Sequence, residues 1–137
     1  MAKVTRRESR EIAFKILFGY SIANPSDMGE YFDLSCDSME FEKNDFSYEL
    51  YAKTLINVED IDSTIEKYLN NWELDRLSKI TLSILRLCTC ELLYFDDIPK
   101  SVSMNEYIEI SKKYDEEKSS SFVNGIINNI GKEINKK

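Results

Sequence analysis

The sequence predicts an all-α protein, a compact bundle of about six to seven helices around one buried central helix. Three observations support this fold class. The 137 residues include only four glycines and two prolines, the residues that most often interrupt helices. Apolar side chains recur at helical spacing without strand-like alternation, and one long segment is apolar around almost its whole helical circumference. A chain of this length can bury one core without disulfides or metals, so residues 1–137 are expected to form a single domain.

The segment Leu77–Phe95 is the predicted central helix. Its apolar residues cover most of the circumference of a helix, and such a helix must be surrounded by others. A membrane-spanning helix has a similar length, but Lys79, Arg86 and Glu91 would be costly in hydrocarbon. We therefore predict a buried helix and no membrane association. Buried polar groups need partners, so we expect Arg86 to pair with a carboxylate or with carbonyls at a helix end.

The first helix is predicted to run from Thr5 to about Ala23. Thr5 and Glu8 have the spacing of a capping box, in which each side chain accepts a hydrogen bond from the backbone of the other. The helix should end before Pro25, because the residue that precedes a proline avoids the helical conformation. The predicted buried face consists of apolar residues at helical spacing: Ala13, Ile16, Leu17 and Tyr20.

The middle of the chain is predicted to form two further helices after a loop. The acidic segment 24–43 is weakly periodic, which indicates a loop with one short helix around Glu30–Leu34. Asn44 is the expected cap of a third helix, from Asp45 to about Ile56. A fourth helix is predicted from Val58 to about Asn70, with apolar residues along one face.

The C-terminal third is predicted to form two more helices. The central helix should end before Pro99, and Ser103–Glu106 has the form of a second capping box that begins the next helix. Asp115–Ser121 is a polar connection, and the last helix carries an apolar stripe along Phe122–Ile134. Gly125 lies inside this helix, where glycine is unfavourable, and we expect it to permit the close approach of another helix.

The residue types present argue against the common catalytic sites. The chain has no histidine, and its glycines are isolated rather than gathered in a phosphate-binding loop. We therefore predict that it is not an enzyme and has no catalytic residue. The three cysteines lack metal-ligand spacing, so we expect reduced thiols, no metal and no cofactor. The N-terminus lacks the apolar run of a signal peptide, and the cytoplasm is the expected location.

Charge is distributed unevenly along the chain, whose net charge is −7. The first 20 residues hold five basic and two acidic side chains, whereas residues 21–70 hold three basic and twelve acidic ones. A basic N-terminal end permits an acidic protein to bind nucleic acid locally. The acidic segment leaves a second hypothesis open, in which the chain is a helical protein–protein adaptor without an RNA function.

Arg6, Arg7 and Arg10 are candidate phosphate-binding residues, with Lys3 just outside the helix. The arginines lie about one turn apart, on the side of the helix opposite most of its apolar face. The spacing of the three arginines is as typical of a helix face exposed to solvent as of a binding site. Phosphate binding is the alternative, because guanidinium groups and the free N–H groups of a helix N-terminus both bind anions.

The start of the last helix is a second candidate binding region. Lys118 and the serines that follow it are suited to anions, and Phe122 is a candidate stacking surface for a base. The periodicity favours a core position for Phe122 at least as strongly, because it aligns with Ile126 and Ile130.

Several segments, in order along nearly the whole chain, resemble the NusB family of bacterial transcription antitermination factors. They are Arg6–Glu11 with Ala13 and Leu17–Phe18, Ile84–Leu87 with Glu91–Leu92, Asp97–Pro99, Asn105–Glu106 and Phe122–Gly125. Each segment alone is a weak signal, and the ordered set is specific. The resemblance implies an all-helical fold of two three-helix halves.

The resemblance also implies partners and site residues. Such proteins pair with the small ribosomal protein NusE and bind the single-stranded boxA element of nascent RNA. The complex modifies RNA polymerase and supports ribosomal RNA transcription. By this likeness, the RNA contacts would be Lys3, Arg6, Arg7, Arg10 and the region from Lys118 to Phe122. Phe18 and Thr81 would face the ribosomal protein, although family members often carry an acidic residue at the position of Thr81.

Overall fold

The computed structural model describes residues 4–70 and 72–137. Across these residues the backbone forms seven α-helices and one short 3₁₀ helix, with no strand. The helices are α1 (Arg6–Ala23), α2 (Met28–Met39), α3 (Asp45–Ile56), α4 (Val58–Glu66), α5 (Lys79–Tyr94), α6 (Lys100–Tyr114) and α7 (Glu117–Glu133), and the 3₁₀ helix is Leu74–Arg76. The predicted all-α class is confirmed.

Helix α5 is the centre of the bundle, as predicted. It packs against α1, α3, α4, α6 and α7. Helices α1, α2 and α3 contact one another and form one three-helix group, while α5, α6 and α7 form the other. Helix α4 bridges the two groups, because it contacts α3, α5 and α7.

Helix α5 is buried over most of its surface. Ten of its 16 residues are buried, and six of these ten are apolar. Ser78 caps the helix, since its Oγ accepts a hydrogen bond from the Thr81 backbone N–H at 3.1 Å. Within the described part of the chain, no helix is both long and apolar enough to cross a membrane.

The first helix begins and ends where the sequence indicates. The Glu8 N–H donates to the Thr5 hydroxyl at 3.1 Å, and the Thr5 N–H donates to the Glu8 carboxylate at 3.2 Å, so the capping box is formed. Asn24 then adopts a left-handed conformation, with φ 48° and ψ 56°, and ends the helix before Pro25.

Helix α2 is longer than the short helix predicted around Glu30–Leu34, and the prediction of a mostly irregular segment is wrong. Asp27 caps it by accepting a hydrogen bond from the Glu30 N–H at 3.0 Å. Phe32 and Cys36 are its only buried residues, so the apolar period visible in the sequence is short. The exposed positions of α2 include the apolar residues Leu34 and Met39 as well as polar ones, so the sequence shows no clear apolar stripe along this helix.

Helix α4 is shorter than predicted, because it ends at Glu66 rather than near Asn70. The next residues continue as tight turns, in which Tyr68 N–H donates to Ile65 O and Leu69 N–H donates to Glu66 O. Leu69 is buried although it lies beyond the helix, and this explains why the apolar pattern extends further than the helix itself.

Helices α6 and α7 both begin earlier than predicted. Helix α6 begins at Lys100, directly after Pro99, and Ser103 does not cap it. The Ser103 hydroxyl instead donates a hydrogen bond to the buried carboxylate of Glu91 at 2.8 Å. Helix α7 begins at Glu117, so the predicted polar connection of seven residues is reduced to Asp115 and Glu116.

The close contact between helices that was expected at Gly125 occurs at Gly131 instead. A Cβ added at Gly125 would meet no atom within 4 Å, because this position is exposed. A Cβ added at Gly131 would lie 2.7 Å from the Met104 sulfur, so it is this buried glycine that lets α6 pack closely on α7.

Candidate nucleic-acid interface

The N-terminal end of α1 carries two exposed arginines that point in different directions. The guanidinium carbon of Arg6 lies 4.2 Å from the centroid of the Phe46 ring on α3. Arg7 donates two hydrogen bonds to Glu106 on α6, from Nη2 to Oε2 at 2.7 Å and from Nε to Oε1 at 3.1 Å. The end of α1 therefore presents positive charge between α3 and α6.

The ion pair of Arg7 with Glu106 is in contact with water on the Arg7 side. The Arg7 side chain is 69% exposed, whereas that of Glu106 is 15% exposed. The hydrogen bonds from Arg7 lower the pKa of Glu106, so this carboxylate is charged at neutral pH. Exposed ion pairs contribute little to stability, and a phosphate group can therefore compete with Glu106 for Arg7.

Arg10 does not belong to the exposed patch, and its predicted position opposite the apolar face is wrong. It is only 3% exposed, and it shares one side of α1 with Ala13 and Leu17. Its Nε and Nη2 donate to the two carboxylate oxygens of Glu91 on α5, at 2.7 Å and 3.0 Å. The charge on Arg10 is neutralised inside the protein.

The Glu91 carboxylate accepts hydrogen bonds from side chains on two helices, α1 and α6. Besides Arg10 on α1, it accepts from the Ser103 and Tyr107 hydroxyls on α6. Burial raises the pKa of Tyr107, and the nearby Glu91 charge raises it further, so the phenol stays protonated and donates. Burial works to lower the pKa of Arg10, but the hydrogen bonds and charge of Glu91 raise it overall. This network fixes the end of α1 against α5 and α6.

Lys118 and Phe122 line a pocket of about 430 Å³ at the start of α7. Lys118 is exposed and Phe122 is partly buried, so the side of Phe122 that faces the pocket is accessible. The other lining residues are Trp72, Arg76, Leu77, Ser78, Thr81, Glu116 and Ser119. The structure thus brings two of the predicted RNA-binding residues together with one of the predicted partner-binding residues.

Thr81 is buried rather than displayed, since it is only 3% exposed. Its hydroxyl donates to the Asp115 carboxylate at 2.7 Å and accepts from the Ser78 hydroxyl at 3.0 Å. A direct contact with a partner through this hydroxyl would require Asp115 to release it. The Asp115 carboxylate places an acidic group beside Thr81.

The remaining predicted residues are Phe18 and Lys3. Phe18 is partly buried on α1, with its ring centroid 6.4 Å from that of Phe14. Lys3 lies outside the described residues. A cleft of about 1190 Å³ is lined by none of the predicted site residues, and its walls include residues of α1, α3, α4, α5 and the Trp72–Leu77 segment.

Sequence reasoning missed Phe46, Trp72 and Arg76. The sequence offered one indication for Trp72, because a tryptophan in a short polar segment is unusual. In the structure its side chain is 57% exposed. The sequence offered no indication that Phe46 contacts Arg6, since the two residues are distant along the chain. Only the packing of α1 on α3 brings them together.

Comparison with known proteins identifies the family. A model of the NusB family matches residues 7–132. Transcription antitermination protein NusB of Natranaerobius thermophilus is 38% identical, over 97% of this chain and 99% of the relative. The chain belongs to the NusB family. Because this is a family of transcription antitermination factors rather than enzymes, the predicted family and the prediction of a non-enzymatic protein are confirmed.

Solved NusB structures have the same fold. Thermotoga NusB ("T. maritima NusB") is 36% identical, with a TM-score of 0.86 over 96% of this chain and 94% of that one. A NusB chain solved with NusE and double-stranded RNA is 28% identical, with a TM-score of 0.83 over 93% of this chain and 96% of that one. The helical bundle of this NusB-family chain is therefore that of a protein solved with RNA and a protein partner.

Proposed function

We propose that this NusB-family chain binds boxA-type single-stranded RNA together with the ribosomal protein NusE. The bound complex joins the antitermination assembly on RNA polymerase and supports transcription of ribosomal RNA in the cytoplasm. The observation that carries the proposal is the pair of exposed arginines, Arg6 and Arg7, at the N-terminal end of α1. The similarity to a NusB chain solved with NusE and double-stranded RNA supports both classes of partner.

The residues of the interface have different roles in this proposal. Arg6 and Arg7 contact RNA phosphates, because their guanidinium groups are exposed and match phosphate geometry. Lys118 adds a further cation, and Phe122 offers a ring on which a base stacks. Arg10 is buried and acts indirectly, by holding the end of α1 through Glu91. Lys3 precedes the described residues and is retained as an RNA contact on the sequence alone.

The partner-binding side of the proposal involves Phe18, Thr81 and the acidic character of the chain. Phe18 is partly exposed on α1, and Asp115 adds a carboxylate beside Thr81. A protein with a net charge of −7 is electrostatically suited to a basic ribosomal protein, which in turn brings positive charge near the RNA.

The proposal is tested by fluorescence anisotropy with a short labelled boxA-type RNA, with and without purified NusE. We expect binding to tighten when NusE is present, and a scrambled RNA of equal length to bind more weakly. If three or four phosphates are neutralised by this chain, the slope of log affinity against log salt should be roughly −2 to −3. Equal affinity for both RNAs, or no effect of NusE, would contradict the proposal. Tight NusE binding without any gain from RNA would support the adaptor hypothesis instead.

A further inference from the structure

The three arginines of α1 are in three different electrostatic states. Arg10 is buried against Glu91, and Arg7 is paired with Glu106. Among the described residues, no carboxylate forms an ion pair with Arg6, whose guanidinium lies over the Phe46 ring. The contact with the ring orders the Arg6 side chain without cancelling its charge.

Phe46 is held in place by a second ring. Its centroid lies 5.7 Å from that of Phe95, with the planes at 73°, in an edge-to-face arrangement. Phe95 is buried, and the Nζ of Lys53 lies 4.8 Å from its centroid and 3.0 Å from Oε1 of Glu49, with which it forms an ion pair. The two rings therefore lie between two cations, in the order Arg6, Phe46, Phe95 and Lys53.

Within the ranges that the structure describes, the opposite side of α1, on which Arg7 lies, has no such ordered and uncompensated cation. The groove between α1 and α6 is lined by three cations and three carboxylates: Arg7, Lys112, Lys113, Glu11, Glu106 and Glu109. Lys113 in this groove is already paired with Glu11, at 3.0 Å. Its charges are mixed, whereas the surface of Arg6 and Phe46 combines an ordered cation with a flat apolar ring.

We propose that Arg6 and Phe46 form a base-stacking platform, which extends the RNA path from the end of α1 across α3 towards Lys53. This inference rests on the proposed RNA-binding function and adds the position and type of one contact. A guanidinium with one face on an aromatic ring presents its other face to solvent, and unpaired bases stack on such planes as well as on rings. The ligand class is single-stranded nucleic acid with at least one unstacked base.

The first test compares Phe46→Leu with a matched control, Phe41→Leu. Phe41 is also partly buried and also has a cation near its ring, Lys15 at 5.6 Å, but it lies about two turns of α1 away from Arg6. We expect Phe46→Leu to weaken boxA-type RNA binding about 5- to 20-fold with no change in the salt slope, because a stacking contact is lost and no phosphate contact is. Phe41→Leu should leave RNA affinity unchanged.

The second test reports on the contact itself and does not depend on a loss of affinity. Phe46→Trp is made in a Trp72→Phe background, so that the introduced tryptophan is the only one in the chain. We expect addition of the RNA to quench its fluorescence, and we expect no quenching for Phe41→Trp in the same background.

The outcomes separate this inference from the function on which it rests. Wild-type affinity in Phe46→Leu, or RNA binding without quenching of the tryptophan at position 46, would overturn the stacking platform and leave RNA binding intact. Equal weakening by Phe46→Leu and Phe41→Leu would also overturn it, because the effect would then be one of general destabilisation. Absence of RNA binding by the wild-type chain with NusE would contradict the proposed function itself.

Discussion

Arg10 and Glu91 form a two-point ion pair in which both side chains are buried, with N–O distances of 2.7 Å and 3.0 Å. The pair joins the first helix to the central one. Because Arg10 follows Arg6 and Arg7 by about one helical turn, it also fixes the position of the exposed arginines relative to the bundle. The buried pair is thus the link between the core and the proposed RNA surface.

Loss of one partner of this pair should destabilise the fold strongly. We expect Arg10→Met to lower the free energy of unfolding by about 3–5 kcal/mol, since it leaves the Glu91 carboxylate buried without its counter-ion. The double variant Arg10→Met with Glu91→Leu should lose less than the sum of the two single variants, because it removes both charges. Urea denaturation followed by circular dichroism measures all three.

Arg7→Met is the matched control for this prediction. It removes the ion pair with Glu106, but Arg7 is 69% exposed and Nη1 of Arg10 still lies 3.7 Å from the Glu106 carboxylate, so its effect on unfolding should be much smaller. Additive losses in the double variant, or equal losses for Arg7→Met and Arg10→Met, would show that the buried pair is not a structural link.

Arg86 was expected to find a carboxylate, and this prediction is confirmed. Its Nε and Nη2 both donate to the carboxylate of Asp62 on α4, each at 2.8 Å. We expect Arg86→Leu to lower the free energy of unfolding by about 1–3 kcal/mol, because it leaves a partly buried carboxylate without its donor. RNA affinity measured by anisotropy should stay within twofold of wild type. A large loss of RNA affinity in a stably folded Arg86→Leu would instead make Arg86 a binding residue.

The sequence predicted well those features that depend on neighbouring residues. The capping box of Thr5 and Glu8 and the cap provided by Asn44 lie where expected, because each depends on residues within one turn. Helix α5 was found because burial on all sides leaves a long apolar run. Local chemistry and strong periodicity were sufficient for these elements.

Features that depend on distant partners were missed. Ser103 has the sequence of a cap, but its hydroxyl bonds Glu91 instead. Arg10 was predicted to lie on an exposed side, because the spacing of residues along one helix does not show that Glu91 on another helix can pair with it. The contact of Arg6 with Phe46 likewise depends on the packing of α1 against α3.

The three cysteines should report on how different parts of the bundle open. Burial raises the pKa of Cys90 to about 12 and raises the pKa of Cys88 well above its ordinary value, so neither thiol is reactive in the folded state. Burial also raises the pKa of Cys36, but this residue lies on α2, which buries only one other residue. A helix with so few buried contacts opens locally at lower cost than the central helix.

We therefore expect Cys36 to react first with Ellman's reagent at about pH 8, and Cys88 and Cys90 to react only at the rate of global unfolding. Comparison of the wild-type chain with Cys36→Ser assigns the phases. The early phase should disappear in Cys36→Ser while the late phase persists. Simultaneous reaction of all three thiols would mean that α2 opens only together with the core.

The exposed and buried arginines should also differ in the salt dependence of RNA binding. We expect Arg7→Gln to weaken binding of a boxA-type RNA severalfold and to flatten the slope of log affinity against log salt by about 0.7, the change typical of one lost phosphate contact on a single strand. Lys132→Gln is the matched control, since Lys132 is exposed near the far end of α7 and should change neither quantity.

Arg10→Gln should reduce the fraction of folded protein, and in the protein that remains folded the slope should stay that of wild type. A flattened slope in folded Arg10→Gln would mean that RNA draws Arg10 away from Glu91, and an unchanged slope in Arg7→Gln would remove Arg7 from the interface.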